Sequence, residues 1–251
     1  MSDPHTQAHY GPRAGAYVAS AVHATGADLD FIAQTLRPHP SWSVLDLGCG
    51  GGHVSYTAAP LVARVTAADI TAPMLTAVQA EATARGLENI TTIQASAEDL
   101  PFPAGHFDAV LCRFSAHHWS NWSTGLREAR RVLKPGGTAL FIDTTAPTLP
   151  RLDSHLQTIE LLRDPTHGRN HTVPEWVAEL ARAGFSLTGC QSWNLRMEFP
   201  VWTARTKTPE VMLAALRHLQ ATAPEEVKTH FAITPDGSFD LDVVLFALTT
   251  A

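Results

Sequence analysis

The feature that most constrains the fold is the sequence VLDLGCGGGH at residues 44–53. A short run at 44–47, apolar except for Asp46, leads directly into a loop in which Cys49 is the only residue other than glycine before His53. Glycine lets a chain turn tightly and lets its backbone approach a ligand. Parallel sheets bind ligands at the carboxyl ends of their strands. The stretch therefore predicts a buried strand, a ligand-binding loop and a helix from His53 onward.

This loop differs from two common phosphate-binding loops. The dinucleotide pattern GxGxxG, read from Gly48, requires glycine at position 53, where the chain has His53. The pattern GxxxxGK[ST] is absent. A nicotinamide-dependent oxidoreductase is thus an alternative that His53 disfavours.

Apolar β-type runs alternate with helical patterns along the chain, which indicates an α/β protein whose parallel sheet is wrapped by helices. The turn at 135–137 is expected to cap the helix before it. Strands are predicted at 44–47, 64–69, 90–94, 107–112, 138–143, from 185 onward and at 241–248; helices are predicted at 17–36, 53–59, 72–85, 122–133, 152–162, 174–183 and 209–221.

Composition excludes some classes of function. Lys and Arg number 18 against 24 Asp and Glu, a net charge of −6, so the basic excess of a nucleic-acid binder is missing. Charged residues are 17% of the chain, below the roughly 25% typical of soluble proteins, which fits an oligomer interface, and a homodimer is expected. Three distant cysteines fit a reducing, cytoplasmic location. No apolar run approaches the ~18 residues of a membrane span, so no membrane association is expected.

Two later strand ends carry polar groups suited to a nucleoside. Asp69 ends the second predicted strand, where a carboxylate can accept hydrogen bonds from both hydroxyls of a ribose. A turn or helix-cap aspartate is the alternative. Residues 96–102 follow the third strand, where a backbone amide and a carboxylate can read an adenine edge.

Four ordered segments carry a family resemblance: VLDLGCGGGH, AADITAPML, AEDLPFPAGHFDAVLCRFSAHHW and REARRVLKPGGTALFID. Over residues 40–143 the chain resembles the class I S-adenosylmethionine-dependent methyltransferases of the type 11 group, which includes ubiquinone and menaquinone C-methyltransferases. The segments SAVHATGADLD, LLRDPTHGRNHTVPEW and ARTKTPEVMLAALRHLQ resemble a narrower bacterial subgroup and extend the likeness over almost the whole chain.

The resemblance implies a Rossmann-like fold with a seven-stranded, mainly parallel sheet, an antiparallel last strand and helices on both faces. A single methyltransferase domain is expected over 1–251, with an N-terminal helical cap at 1–40. Residues 41–145 then form the cofactor-binding half, and 146–251 form the substrate-side elaboration with the last strands.

The resemblance also implies roles in binding S-adenosylmethionine. Many relatives have Asp before Ala97, whereas this chain has Ser96, so the adenine amino contact is expected to move to Glu98. The alternative to a cofactor contact for Met74 is that its side chain simply fills the hydrophobic core. The implied contacts are Asp46, Gly48, Gly50 and Gly52 at the methionine part, Asp69 at the ribose, Ile70 and Met74 beside the adenine, and Ala97 and Glu98 at its edge.

Candidate catalytic groups follow the fourth strand. His117 and His118 are suited to general-base catalysis near neutral pH, and at most one of the two adjacent side chains is expected to face an acceptor. The alternative is a histidine that packs in a lid or contacts the cofactor. Arg113 is expected to bind the cofactor carboxylate or an anionic substrate, or to pair with a neighbouring acid. Tyr17 is expected to contact the cofactor carboxylate or the substrate, or to act as a structural cap.

The stretch after residue 162 predicts an acceptor pocket rather than a metal site. His167 and His171 have HxxxH spacing, which on a helix would suggest a metal site. Pro165 before the stretch, and Gly168 and Asn170 within it, disfavour that helix. Arg163, His167 and Arg169 are expected to line a polar or anionic pocket. The hypothesis is methyl transfer to oxygen or carbon of a small-molecule acceptor; the alternatives are cofactor binding without transfer, non-methyl chemistry and nicotinamide-dependent oxidoreduction.

Overall fold

A computed structural model describes residues 4–11, 14–15 and 25–250. Its centre is a seven-stranded sheet with the strand order β3-β2-β1-β4-β5-β7-β6. Strands β1 to β5 pair in parallel, and β7 runs antiparallel to both β5 and β6. This confirms the expected sheet with its antiparallel last strand. The strands are β1 Ser43–Leu47, β2 Arg64–Asp69, β3 Ile90–Gln94, β4 Phe107–Arg113, β5 Leu133–Thr144, β6 Phe185–Met197 and β7 Phe239–Thr250.

Helices cover the sheet and build a layer beyond its carboxyl edge. The helix at 173–182 shows the local cause well: Thr172 and Glu175 form a reciprocal capping box, and Gly184 follows the helix end with a positive φ of 92°. The helices are α1 Pro4–Tyr10, α2 Ala27–Leu36, α3 His53–Ala58, α4 Ala72–Ala84, α5 Trp122–Val132, α6 Pro150–Arg163, α7 Val173–Arg182, α8 Phe199–Thr206, α9 Glu210–Thr222 and α10 Glu225–His230, with 3-10 turns at Ala59–Leu61 and Ala116–His118.

Buried apolar residues form three clusters. Val44 and Leu45 of β1 belong to different clusters on opposite faces of the sheet, as the alternation along a strand requires. The third cluster joins Leu156 of α6, Trp202 of α8 and Phe239 of β7. The segment after residue 145 thus has its own apolar packing beside the sheet, and the division at 40 and 145 within one domain stays a prediction.

The structure differs from the expected elements at four places. Helix α5 ends at Val132, and residues 135–137 belong to β5, where the register with β4 shifts. The turn therefore forms a bulged strand start instead of a helix cap. Helices α8 and α10 were not expected from the sequence. Of the helix predicted at 17–36, the described part begins at Ala27.

Within the described residues, no helix combines the length and apolar character that crossing a membrane requires.

Candidate functional site

The main cavity lies at the carboxyl edge of the sheet, beside β1 and β4. These two strands are neighbours in the sheet but not consecutive in the chain, so the strand order reverses between them. Ligands of α/β sheets bind at such a switch point. Its empty volume, with the solvent at its mouth included, is about 1570 Å³. Thr6 and Tyr10 of α1 also line it.

The glycine loop after β1 forms one wall of the cavity, here called the glycine-loop wall, together with the ends of β2 and β3. Gly50 has a φ of 47° and open space where a side chain would stand, so its backbone is exposed to the cavity. A Cβ at Gly48 would lie 1.9 Å from Ser115 Oγ. The loop therefore needs glycine at 48 for packing and at 50 for open backbone.

Asp46 lies at the base of this wall and is almost fully buried. Its Oδ2 accepts hydrogen bonds from the backbone nitrogen of Ser55 at 3.0 Å and from Ser55 Oγ at 2.6 Å. Burial nevertheless raises the pKa of Asp46 to about 7, because it disfavours the charged form. Asp46 can thus change charge close to neutral pH.

Gly52 does not line the cavity, although it was expected to do so with the other loop glycines. It precedes α3 with a φ of 81°, and a Cβ there would lie 2.7 Å from the Tyr56 ring. Position 52 therefore requires glycine, because the chain enters α3 there with a positive φ and passes close to the Tyr56 ring.

Asp69 ends β2 and faces the glycine loop. Its Oδ2 accepts a hydrogen bond from Gly50 N at 3.0 Å, and its Oδ1 accepts one from Thr71 N at 2.8 Å. Burial raises the pKa of Asp69. Ile70 and Met74 follow it along the same wall. The carboxylate is thus fixed at the cavity by two backbone donors.

Glu98 connects the loop after β3 to the loop after β4. Its Oε2 accepts a hydrogen bond from Ser96 Oγ at 2.5 Å, and its Oε1 accepts one from Asn121 N at 2.8 Å. Ala97 lies beside it and also lines the cavity. The wall therefore presents a positioned carboxylate next to a small apolar side chain.

Arg113, at the end of β4, pairs with Asp28 of α2, and both side chains are buried. The guanidinium carbon lies 4.8 Å from the centroid of the Phe114 ring. The structure thus contains the ion pair that was one alternative for Arg113, while the side chain also lines the cavity. Tyr17 lies outside the described residues.

His117 lines the cavity and is held from behind by a buried carboxylate. Its Nδ1 lies 2.6 Å from Asp143 Oδ1, and its backbone nitrogen donates to Asp143 Oδ2 at 3.2 Å. Burial opposes protonation of the ring, but Asp143 outweighs it, and the pKa of His117 is raised above 6.5. With Nδ1–H donating to Asp143, the lone pair of the neutral ring is on Nε2, which has no hydrogen bond to any described residue.

His118 is engaged at both ring nitrogens. Nδ1 lies 3.1 Å from the Thr166 carbonyl oxygen, and Nε2 lies 3.1 Å from Tyr10 Oη. Tyr10 Oη is also within hydrogen-bond distance of Asp164, and its single hydrogen serves one of the two partners at a time. Burial, and then the neighbouring His117, lower the pKa of His118 to about 3, so the ring is neutral near pH 7. His118 therefore ties α1 to the loop before α7.

A second wall, the C-terminal wall, consists of the lining residues that follow Thr144. It includes Arg163, as expected, but His167 bonds to Gln157 at 3.0 Å, and Arg169 pairs with Asp153 at 2.9 Å instead. Arg205 was missed because α8 was not expected. The C-terminal wall consists of Glu160, Arg163, Asn170, Leu195, Met197, Trp202, Arg205 and Leu241.

The HxxxH stretch is not helical, as expected: it lies between α6 and α7, and His171 stacks on Trp122 with ring centroids 3.7 Å apart. No three His, Cys, Asp or Glu side chains in the described part of the chain are grouped to hold a metal ion.

Comparisons with known proteins agree with this geometry. A family model described as a methyltransferase domain, Methyltransf_11, matches residues 45–141. The protein YafE of Escherichia coli (strain K12) is 42% identical over 198 residues, which are 79% of this chain and 96% of YafE. The methyltransferase YcgJ of Bacillus subtilis (strain 168) is 34% identical over 222 residues, 87% of this chain and 86% of YcgJ. Its crystal structure covers 88% of this chain and 97% of its own, with a TM-score of 0.85 and 32% identity.

The fold, the glycine loop and these relatives define the class: the chain belongs to the class I S-adenosylmethionine-dependent methyltransferases, in the type 11 group. Its cofactor is S-adenosylmethionine. The ubiquinone/menaquinone biosynthesis C-methyltransferase UbiE of Agrobacterium fabrum is a more distant relative, 33% identical over 140 residues and 54% of each chain. The chain is therefore a methyltransferase and not the nicotinamide-dependent oxidoreductase that was the alternative function.

Proposed function

We propose that this enzyme methylates an oxygen or carbon atom of a small organic acceptor, with His117 as the general base. The observation that carries the proposal is the arrangement of His117: Asp143 holds Nδ1 at 2.6 Å, and the ring lines the cavity with Nε2 free of described partners. A carboxylate behind a histidine fixes its tautomer and orientation.

The glycine-loop wall suits the cofactor. Each carboxylate oxygen of Asp69 accepts one backbone hydrogen bond in the structure and has capacity for another, as two ribose hydroxyls require. The open space at Gly50 lets a ligand approach the backbone. In this proposal Asp46, Gly48 and Gly50 border the methionine part, Asp69 binds the ribose, Ile70 and Met74 flank the adenine, and Ala97 and Glu98 border its edge.

When bound, S-adenosylmethionine supplies a methyl group activated by the positive sulfonium. The protein's task is to align the acceptor and exclude water. His117 takes the proton from the acceptor oxygen or acidic carbon at Nε2, and Asp143 stabilises the imidazolium that results. General bases of this kind contribute about 10²–10⁴-fold to rate.

His118 has a positioning role in this proposal. Its neutral ring donates from Nδ1 to the Thr166 carbonyl, and Tyr10 Oη lies 3.1 Å from Nε2, so a protein group already stands at each ring nitrogen. Its low pKa agrees with a neutral ring that holds α1 over the cavity.

The first test is calorimetric titration with S-adenosylhomocysteine, S-adenosylmethionine and NADH in parallel. We expect micromolar affinity for the first two and none for NADH. A panel of small phenols, enols and carboxylic acids is then screened for formation of S-adenosylhomocysteine. On the acceptor found, His117→Gln is expected to lose about 10²–10⁴-fold in kcat with unchanged affinity for S-adenosylhomocysteine.

His118→Gln is the matched control. It removes a ring of the same size one residue away and is expected to retain most of kcat. Wild-type turnover in His117→Gln, or a larger loss in His118→Gln, rejects His117 as the base.

We also propose a cytoplasmic location, supported by three free thiols at Cys49, Cys112 and Cys190. The homodimer stays a prediction.

A further inference from the structure

We infer that the methyl acceptor carries an anionic group, a carboxylate or a phosphate, on a compact apolar body, and that Arg163 and Arg205 bind this group. The inference rests on the proposed function, because it names the substrate class of the same cavity. Three properties of the C-terminal wall support the inference: its charge, its hydrogen-bond donors and its apolar surface.

Charge on this wall favours an anion. Arg163 comes from the end of α6 and Arg205 from α8, so two helices bring guanidinium groups to one cavity. The wall has a single carboxylate among the described residues, Glu160, which pairs with Arg163 at 3.0 Å. The other carboxylates that line the cavity, Asp46, Asp69 and Glu98, belong to the glycine-loop side. Guanidinium groups bind carboxylate and phosphate oxygens with two parallel hydrogen bonds.

Two buried side chains on the same wall need hydrogen-bond acceptors. Trp202 and Asn170 are each 1% exposed, and neither Trp202 Nε1 nor Asn170 Nδ2 has a hydrogen-bond partner within the described part of the chain. Buried donors are nearly always satisfied in native proteins. Both unsatisfied groups are donors, so a ligand with oxygen acceptors complements this wall.

Arg163 and Trp202 form one unit. Arg163 Nε donates to the Trp202 carbonyl oxygen at 3.2 Å, and the guanidinium carbon lies 5.2 Å from the centroid of the indole ring. Because Arg205 follows Trp202 by one helical turn on α8, these contacts bring the two arginines to the same end of the cavity. An anion held there has defined partners on two elements.

The rest of the wall is apolar. Leu195 and Met197 of β6 and Leu241 of β7 line the cavity as well. They suit a hydrocarbon or aromatic body. His117 lies on the loop after β4, so the acceptor's reacting atom faces His117 while its anionic group is anchored by the C-terminal wall.

The test is binding by saturation-transfer NMR and calorimetry to protein loaded with S-adenosylhomocysteine. The probes are 3-phenylpropionate and phenyl phosphate as anions, with 3-phenylpropanol and 3-phenylpropylamine as neutral and cationic partners of similar size. We expect both or one of the anions to bind at least tenfold more tightly than the neutral and cationic probes. The two anions separate carboxylate from phosphate recognition.

Substitutions of the two arginines test whether these side chains bind the anion. Arg205→Gln and Arg163→Gln are expected to weaken anion binding tenfold or more, and Arg205→Lys and Arg163→Lys to restore part of it. Arg151→Gln is the matched control, since Arg151 lies on α6 with an exposed side chain and does not line the cavity. It removes the same charge and should leave anion affinity unchanged.

Several outcomes overturn the inference: no detectable anion binding, equal binding of the neutral or cationic probe, or full anion binding in both glutamine variants. Affinity for S-adenosylhomocysteine is measured in every variant and is expected to stay within twofold of wild type. Loss of cofactor-product binding in the wild-type protein refutes the proposed function instead, so the two failures are distinguishable.

Discussion

Binding of S-adenosylmethionine should release a proton from Asp46. Burial raises the pKa of this carboxyl to about 7, so about half of the molecules carry a protonated Asp46 at pH 7. The cofactor brings a positive sulfonium and a positive ammonium group into the same cavity. A positive charge nearby favours the ionised carboxylate and lowers its pKa towards the ordinary 3.8.

The size of the effect follows from the two pKa values. If the bound state returns to the ordinary pKa, the proton released per site equals the protonated fraction of the free protein. That fraction is about 0.9 at pH 6, about 0.5 at pH 7 and about 0.1 at pH 8. Release should therefore fall as the pH rises.

Calorimetry in phosphate, HEPES and Tris measures this release, because the apparent binding enthalpy varies with the ionisation enthalpy of the buffer in proportion to the protons exchanged. Asp46→Asn keeps an acceptor for the Ser55 donors and should remove most of the release. His117→Gln removes a different cavity group with a raised pKa and should retain the proton release. Buffer-independent enthalpies at pH 6, or undiminished release in Asp46→Asn, would refute the reasoning.

Three further predictions concern the cofactor, the base and the fold. Asp69→Ala should weaken binding of S-adenosylhomocysteine by about 3 kcal/mol, roughly 150-fold by calorimetry, as two hydrogen bonds to a charged acceptor are lost, whereas the exposed Asp30→Ala should not. Asp143→Asn removes the charge that raises the pKa of His117, so the acidic limb of the kcat/KM profile should move to lower pH; an unmoved limb contradicts the assignment. Gly52→Ala should destabilise the protein by about 2 kcal/mol in urea unfolding, more than Gly86→Ala, because both residues have positive φ but only Gly52 meets Tyr56.

The sequence was sufficient for the half of the fold that holds the cofactor. Strand β2 and strand β3 have the bounds that their apolar runs predicted, and β1 ends at the glycine loop as expected. Local signals dominate here: glycine allows few alternatives for the loop backbone, and a buried parallel strand reads as a short apolar run. The number of strands and the antiparallel last strand followed from the resemblance.

Helix α8 shows why other parts could not be predicted. Its residues, FPVWTART, include Pro, Val and two Thr residues, all of which have low helix propensity. Burial of Phe199 and Trp202 in the third apolar cluster supplies the stabilisation, and that cluster depends on distant segments. Because α8 was missed, Arg205 and Trp202 were missed as cavity residues. The one local signal was Pro200 near a helix start, followed by alternating bulky residues.

The two adjacent histidines show the same limit within the site. Their order in the chain gives no reason to prefer either one. They are distinguished by partners far away in sequence: Asp143 behind His117, and Thr166 with Tyr10 on His118. Arg113 is a similar case, since Asp28 precedes it by 85 residues. Tertiary contacts, which local patterns do not encode, assign these roles.

The two walls of the cavity come from separate stretches of the gene, one before Thr144 and one after it. In the proposed function the second wall binds the acceptor, so mutations that reshape it leave the residues proposed to hold the methyl donor untouched. The freedom has a limit at Gly168, whose backbone donates to the His117 carbonyl and where a Cβ would lie 2.9 Å from that oxygen. Any larger residue at 168 would therefore press on the backbone that carries His117.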